Sequence, residues 1–371
     1  MKIKINFWKT TFIIICSVLV TSCQLGRFVF YNFADIKDHK KFKSRSLIAA
    51  QKPFNFETTE TGKFPKVITK KSKEEVPFDE FLEENKTVAF LIIKNDTIQY
   101  EKYFNGYQTE SIVPSFSMAK SVTSILIGCA IDEGLIKSVD EPITKYITEL
   151  SGNDFDKITI KHLLQMTSGV KFNESYVNPF GDAASFYYGI NLRKAISKME
   201  VKTEPGKNFE YISGNTQLLG LVLERSLKGK KITQYLQEKI WQPLGMEYDA
   251  SWSLDRKKDG LEKTFCCLNA RARDFAKIGR LYLNKGDWNG KQIVSEKWVE
   301  ESTKVDSTAG SAKYYQYQWW INATAGTYMA QGILGQYVYV NPAKNLVIVR
   351  LGKNEGKVSW ANFFNSLSKS Y

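Results

Sequence analysis

At 371 residues the chain is long for one compact core, which predicts two lobes or one core carrying a large insertion. Its formal charge of +13 is spread along the sequence without a dense basic block; a nucleic-acid footprint would be a clustered stripe, so the charge reads as solubility or attraction to anionic surfaces. Two histidines and no CxxC pair leave little to hold a zinc ion, and no metal or cofactor is expected.

The chain opens on an address. Lys2, Lys4 and Lys9 form a positive region, Phe12 to Val20 is a short apolar run, and Val20-Thr21-Ser22-Cys23 reads as a lipobox. Residues 1–22 are therefore expected as a lipoprotein signal peptide and Cys23 as the site of lipid attachment. The bland alternative is an uncleaved anchor. Either places the folded part in the cell envelope, outside the cytoplasmic membrane, and Gln24 resembles the residue that follows the anchor in outer-membrane lipoproteins. Residues 23–80 are polar and Lys-rich and read as a tether and lead-in segment. The domain is expected over 81–371.

Its first elements are two strands, Thr87 to Lys94 and Thr97 to Phe104, joined by an Asn95-Asp96 turn as a hairpin. Apolar spacing then predicts helices over Val122 to Leu135, Ile160 to Met166, Thr216 to Ser226, Ile232 to Trp241 and Asp274 to Leu283. Strand character returns at Tyr315 to Ile321, Gly335 to Val340 and Asn345 to Arg350. The expected fold is α+β: an antiparallel sheet of N- and C-terminal strands, flanking helices, a mainly helical insertion over about 135–300, and a cleft between the lobes. Cys129 and the Cys266-Cys267 pair are expected as buried free thiols, with a disulfide to Cys129 as the alternative.

Chemistry enters at Pro114-Ser-Phe-Ser117-Met-Ala-Lys120. A serine opening a buried helix meets the free N–H groups there, and a lysine three residues on lies on the same face. Burial would lower the lysine pKa until a neutral amine could take the serine proton. Ser-x-x-Lys alone is weak evidence, because it recurs at Ser168 to Lys171 and Ser366 to Lys369. The bland reading of Ser117 is a helix N-cap followed by an exposed lysine.

The surrounding residues resemble the serine β-lactamase-related (penicillin-recognising) family, and within it the branch of class C-like esterases and 6-aminohexanoate-dimer (nylon-oligomer) hydrolases. Ser117-Met-Ala-Lys120, Thr159-Ile-Lys-His-Leu-Leu-Gln-Met-Thr-Ser-Gly169, Glu204-Pro-Gly-Lys-Asn-Phe-Glu-Tyr211, Asn269-Ala-Arg-Ala-Arg-Asp274 and Gly332-Ile-Leu-Gly335-Gln336 follow the family's order. The resemblance implies a β-lactamase/transpeptidase-like fold, Ser117 as nucleophile, Lys120 as base and Tyr211 as proton relay. A lysine cation nearby would be expected to lower the phenol's pKa. It further implies substrate-binding roles for Tyr176, for Ser213 two residues after the tyrosine, and for Gly332, Ile333, Gly335 and Gln336, whose turn suits an oxyanion hole.

Two departures stand out. Class C enzymes carry Asn where Ser213 stands, and a Lys-Thr-Gly strand where this chain has Ala330-Gln-Gly-Ile333. Loss of that cation argues against efficient penicillin hydrolysis and toward neutral substrates. A Ser-His-Asp enzyme needs an imidazole, yet His39 lies in the lead-in and His162 among core residues, and no G-x-S-x-G elbow is present. The expected activity is acyl transfer from small esters, linear amides or D-amino-acid-type peptides. The alternatives are a wall-peptide carboxypeptidase or transpeptidase, and a silent envelope-binding or sensor protein on the same fold.

Overall fold

The computed structural model describes residues 33–70, 73–152 and 154–371. The leader, Cys23 and the proposed cleavage site lie outside them. No helix among the described residues is long and apolar enough to cross a membrane.

Eight strands form the main sheet, in the order Tyr315–Gln316, Trp319–Asn322, Thr327–Gly332, Gln336–Asn341, Leu346–Gly352, Thr87–Lys94, Thr97–Tyr103 and Glu57–Thr58. All neighbours are antiparallel except the last pair, which is parallel. The N- and C-terminal ends meet where Leu346 pairs with Lys94 and Arg350 with Phe90, as the sequence predicts. Thr87–Lys94 is apolar at nearly every position because both of its faces are covered. Ala89, Leu91 and Ile93 join the large core shared with the helices, while Phe90 and Ile92 face a smaller aromatic core. Phe78, Phe81, Trp360 and Phe364, from the short helix Phe78–Glu84 and the last helix Trp360–Ser368, complete that second core.

The region between the strand groups holds helices α1 (Met118–Asp132), α2 (Ser213–Ser226) and α3 (Ala272–Leu283). It is less purely helical than expected. A second sheet runs through it, in the order Ser44–Leu47, Ala250–Ser253, Leu268–Ala270 and Val113–Pro114, every neighbour antiparallel. The Tyr315 to Ile321 stretch is also two strands rather than one, reversed through Tyr317 and Gln318 at positive φ.

The larger difference is in the lead-in. Residues from 33 onward, read as a tether, pack onto the body. Ile36, Phe42, Leu47 and Phe56 enter the main core, and Ser44–Leu47 is an edge strand of the second sheet. Four inward side chains are enough to dock a segment that is otherwise polar. At about 1.5–3 kcal/mol for each fully buried large apolar side chain, they outweigh its charged surface.

Candidate active site

The second sheet sets the candidate nucleophile, Ser117. Val113–Pro114 pairs with Leu268–Ala270, and the hydrogen bonds continue into the next residue: Ser115 N–H donates to Leu268 O (2.7 Å), and Leu268 N–H donates to Ser115 Oγ (3.1 Å). Phe116 then takes φ +43°, an uncommon conformation for a side chain with a Cβ, and turns the chain sharply so that Ser117 opens α1. The Ser117 side chain makes no capping hydrogen bond, and Lys120 is only 1 % exposed. An N-cap followed by a surface lysine is therefore not what stands here. The other two Ser-x-x-Lys matches are structurally idle: Ser168 Oγ donates to Asn215 Oδ1 (2.5 Å) while Lys171 is an exposed partner of Glu200, and Ser366 and Lys369 are both exposed at the end of the last helix.

Lys120 Nζ has three neighbours: Ser117 Oγ at 3.0 Å, Ser213 Oγ at 3.1 Å and the Phe265 carbonyl at 3.0 Å. Their chemistry fixes where a neutral amine can point. The carbonyl only accepts, so it takes one N–H. Ser213 Oγ–H already donates to Glu174 Oε1 (2.6 Å), so toward Lys120 it can only accept the second N–H. The amine's lone pair is left facing Ser117. Burial lowers the Lys120 pKa to about 8, against a smaller opposing pull from the Glu174 charge. At pH 7 roughly one molecule in ten then carries the neutral amine, against fewer than one in a thousand for an ordinary lysine.

Glu174 was not anticipated from the sequence. Its carboxylate accepts from Ser213 N–H (2.7 Å), Ser213 Oγ–H and the Tyr176 hydroxyl (2.6 Å), tying two expected substrate-binding residues to the base. Ser213 thus orients Lys120 as well as lining the cleft. The signal available in the sequence was only that Glu174 lies two residues before Tyr176.

Tyr211 is in place, but its electrostatics reverse the expectation. The Lys120 ammonium is 5.1 Å from its ring centroid, and Tyr315 and Trp320 pack edge-on and tilted against the ring at 5.7 and 5.4 Å. Burial pushes the phenol above its ordinary range, with a smaller pull back from hydrogen bonding to Ser117. Desolvation wins over any help from the lysine, so Tyr211 remains a phenol. In that form it can pass or donate a proton.

Gly332 ends the strand Thr327–Gly332 directly against the nucleophile turn. A Cβ there would stand 2.4 Å from Ser115 O and 3.1 Å from Ser117 N, so only glycine permits this approach. The Ile333 side chain lines the cleft. Gly335 and Gln336 do not reach it. Gly335, at φ +81°, accepts from the Arg350 guanidinium (2.6 Å). Gln336 is fully buried and exchanges hydrogen bonds with the Gly352 backbone, its Nε2 donating at 2.7 Å and its Oε1 accepting at 3.1 Å. Both support the wall from behind because the turn's inward direction is spent at Gly332 and Ile333.

The cleft at Ser117 is narrow, with about 30 Å³ of internal space open to water. Its walls come from Phe116, Tyr176, Tyr187, Tyr188, Phe265 and Ile333, and none of the described residues lining it is charged. Ala34 from the lead-in closes one side, and Asp38 just beyond it accepts from the Tyr187 hydroxyl (2.6 Å). A further correction concerns the cysteines: Cys266 and Cys267 are bonded to each other, and only Cys129 is a free buried thiol among the described residues. Cys266 also lines the cleft. His162 serves as a helix cap, exchanging hydrogen bonds with Thr159 at 3.2 Å, and His39 lies by the Ile36 carbonyl. No metal-binding cluster of His, Cys, Asp or Glu occurs among the described residues.

Comparison with known proteins supports the fold on which this site is built. The family model described as Beta-lactamase matches residues 78–359. A 6-aminohexanoate-dimer hydrolase of Paenarthrobacter ureafaciens is 28 % identical over 292 residues, covering 73 % of either chain. A Bacillus anthracis structure named for the same hydrolase activity superimposes with a TM-score of 0.80 at 25 % identity, over 92 % of this chain and 94 % of that one. A penicillin-binding protein of Bacillus halodurans (TM-score 0.64, 18 % identity, 79 % of this chain and 99 % of that one) shares the fold. So does a family VIII carboxylesterase (TM-score 0.62, 16 % identity, 79 % and 95 %). With the match spanning most of its length, the chain belongs to the Beta-lactamase family.

Proposed function

We propose that this protein is a serine hydrolase that works through an acyl-enzyme on Ser117. The observation that carries the reading is the placement of buried Lys120 Nζ, 3.0 Å from Ser117 Oγ, with its other two neighbours, Phe265 O and the Ser213 hydroxyl held by Glu174, both acceptors toward it. Ser117 Oγ attacks the substrate carbonyl as its proton passes to Lys120. The Ser117 N–H and the backbone at Gly332–Ile333 flank the position where the carbonyl oxygen gains charge. The Tyr211 phenol hands a proton to the departing alcohol or amine and is resupplied from Lys120. Water then attacks the acyl-enzyme by the same route in reverse, releasing the acid and regenerating Ser117.

An uncharged, aromatic-walled cleft favours a small neutral acyl group, so the substrate class is small esters and linear amides. Short p-nitrophenyl esters, the 6-aminohexanoate dimer and D-alanyl wall peptides, each assayed with wild type and Ser117→Ala, test this. Turnover of an ester or linear amide by wild type alone is expected. Equal turnover by the variant would sink the reading, and release of D-alanine alone would move the assignment to a wall-peptide carboxypeptidase. Binding of wall peptides without turnover of any substrate would mark a sensor.

Lipid attachment at Cys23 and an envelope location are proposed on the basic region, apolar run and lipobox. Labelling with a palmitate analogue in wild type, absent in Cys23→Ala, is the expected result. Label retained in the variant would remove the proposal.

A further inference from the structure

The turn that carries the disulfide is also the turn that holds the catalytic machinery. Within Lys263 to Leu268, Phe265 gives its carbonyl to Lys120 Nζ, Cys266 lines the cleft, and Leu268 exchanges hydrogen bonds with Ser115, two residues before the nucleophile. Between the Phe265 and Leu268 anchors lie only the two bonded cysteines. Cys267 adopts φ +69°, a conformation unfavourable for a residue with a Cβ that persists only when the surroundings impose it. Several hydrogen bonds hold the turn from outside: Trp252 Nε1 donates to Cys266 O (2.9 Å) and to Lys263 O (3.0 Å), and Ser253 N–H donates to Cys267 O (3.0 Å). The bond between the sulfurs closes the peptide unit into a small ring and removes freedom at the pivot itself.

We propose that the Cys266–Cys267 disulfide is a positioning element for the catalytic pair, and that its reduction by a dithiol switches Ser117 from reactive to slow. The step is balanced: a dithiol supplies two electrons and two protons, the sulfur–sulfur bond becomes two thiols, and the reductant leaves as its own disulfide. With the ring open, only those outer hydrogen bonds hold the turn, Phe265 O is less firmly fixed against Nζ, and the amine faces Ser117 for less of the time. A displacement of about 1 Å in such a constellation costs on the order of a hundredfold in rate. Cys266, though 3 % exposed, is among the residues that line the cleft, which is the side from which a small dithiol would approach the bond.

The inference rests on the serine hydrolase reading, and one experiment separates the two. Full-length protein in detergent is divided into an untreated portion, one reduced with dithiothreitol and desalted under argon, and one reduced and then reoxidised. Each is mapped for the Cys266–Cys267 peptide and titrated with a fluorophosphonate to obtain kinact and KI. The untreated and reoxidised portions, with a peptide lighter by two hydrogens than the dithiol form, are expected to react quickly. The reduced portion is expected to lose roughly tenfold to a hundredfold in kinact while its Tm stays above the assay temperature. A crosslink that was only structural would lower Tm and leave kinact at the assay temperature unchanged, which overturns the proposal. So does an untreated protein whose map shows two free thiols. Cys266→Ser/Cys267→Ser is expected to be slow with or without dithiol, and Cys129→Ala to keep the full redox response. A protein inert in every state would defeat the hydrolase reading first and this inference with it.

Discussion

Lys120 and Lys277 are both buried, yet the protein surrounds them in opposite ways. Lys277 Nζ lies 3.0 Å from Glu247 Oε1, 3.3 Å from Asp274 Oδ1 and 2.9 Å from the Gly245 carbonyl, so its charge is met directly by two carboxylates. Lys120 meets two hydroxyls and a carbonyl, and its nearest carboxylate, Glu174, is one hydroxyl away. Burial costs both ammonium groups their hydration, and only one receives an ion pair in return. A buried lysine becomes a base when its carboxylate is set back behind a neutral hydroxyl, close enough to orient the group and too far to neutralise it. Lys277 is a cross-brace between α3 and the loop before Ala250–Ser253, and Lys120 is, in the proposed mechanism, a reagent.

The contrast is most directly broken by removing each lysine in turn. Lys120→Met is expected to lose about a thousandfold or more in acylation rate, at the upper end of what a positioned base contributes. Its stability should change little, because losing a costly buried charge offsets the buried acceptors left unpaired at Phe265 and Ser213. Chemical denaturation beside stopped-flow acylation checks both halves. Tyr211→Phe ranks next, at about a hundredfold, and the loss should shrink for esters whose leaving group needs no proton. Comparing p-nitrophenyl with alkyl esters reads that directly.

Glu174→Gln sharpens the comparison through pH. Acylation needs neutral Lys120 and so should rise as pH passes about 8. The Glu174 charge favours the ammonium form, so removing it lowers the Lys120 pKa and moves the acidic limb to lower pH. The plateau should fall by about tenfold, because a neutral amide holds the Ser213 hydroxyl less firmly than a carboxylate does. A limb that moved upward would contradict the assigned environment. The smallest effect on chemistry belongs to Lys277→Met, whose acylation rate per folded molecule should match wild type. It is expected to lose about 3–5 kcal/mol of stability, since Asp274 is left buried without its cation and Glu247 keeps only Arg273, at 3.5 Å.

Linkage gives the same distinction in the folded state. The Lys120 pKa is lowered from 10.5 to about 8 by burial, so the unfolded chain binds more protons than the native protein between those values. Lys120 therefore opposes folding at neutral pH, and that opposition is relieved as pH rises from about 8 toward 10.5. Lys120→Met should flatten this part of the stability–pH curve, which urea unfolding across the window would show.

What could be read from the sequence divides along the same physical lines. Thr87 to Lys94 and Asn345 to Arg350 announce buried strands through unbroken apolar runs, and they pair as expected. Ser117 and Lys120 are legible because helix geometry fixes their separation and the ordered motifs around them are specific. The lead-in was misread because Ile36, Phe42, Leu47 and Phe56 are spaced too irregularly among lysines to show a period. Glu174 was missed because its partners come together only through folding, and Phe265 because it contributes a backbone carbonyl that any residue could supply. The Tyr211 expectation failed on magnitude, since the nearby cation was counted and the burial was not. Cys266 and Cys267 were weighed against a distant cysteine, although each had its partner next in sequence.

The central claim is that Ser117 is made nucleophilic by Lys120. Intact-protein mass of the full-length chain in detergent, after exposure to a fluorophosphonate, tests it most directly when wild type, Ser117→Ala and Lys120→Met are run together. One adduct on wild type, none on Ser117→Ala and a greatly slowed adduct on Lys120→Met is the predicted result. An adduct on Ser117→Ala, or equal rates with and without Lys120 in folded protein, would contradict it.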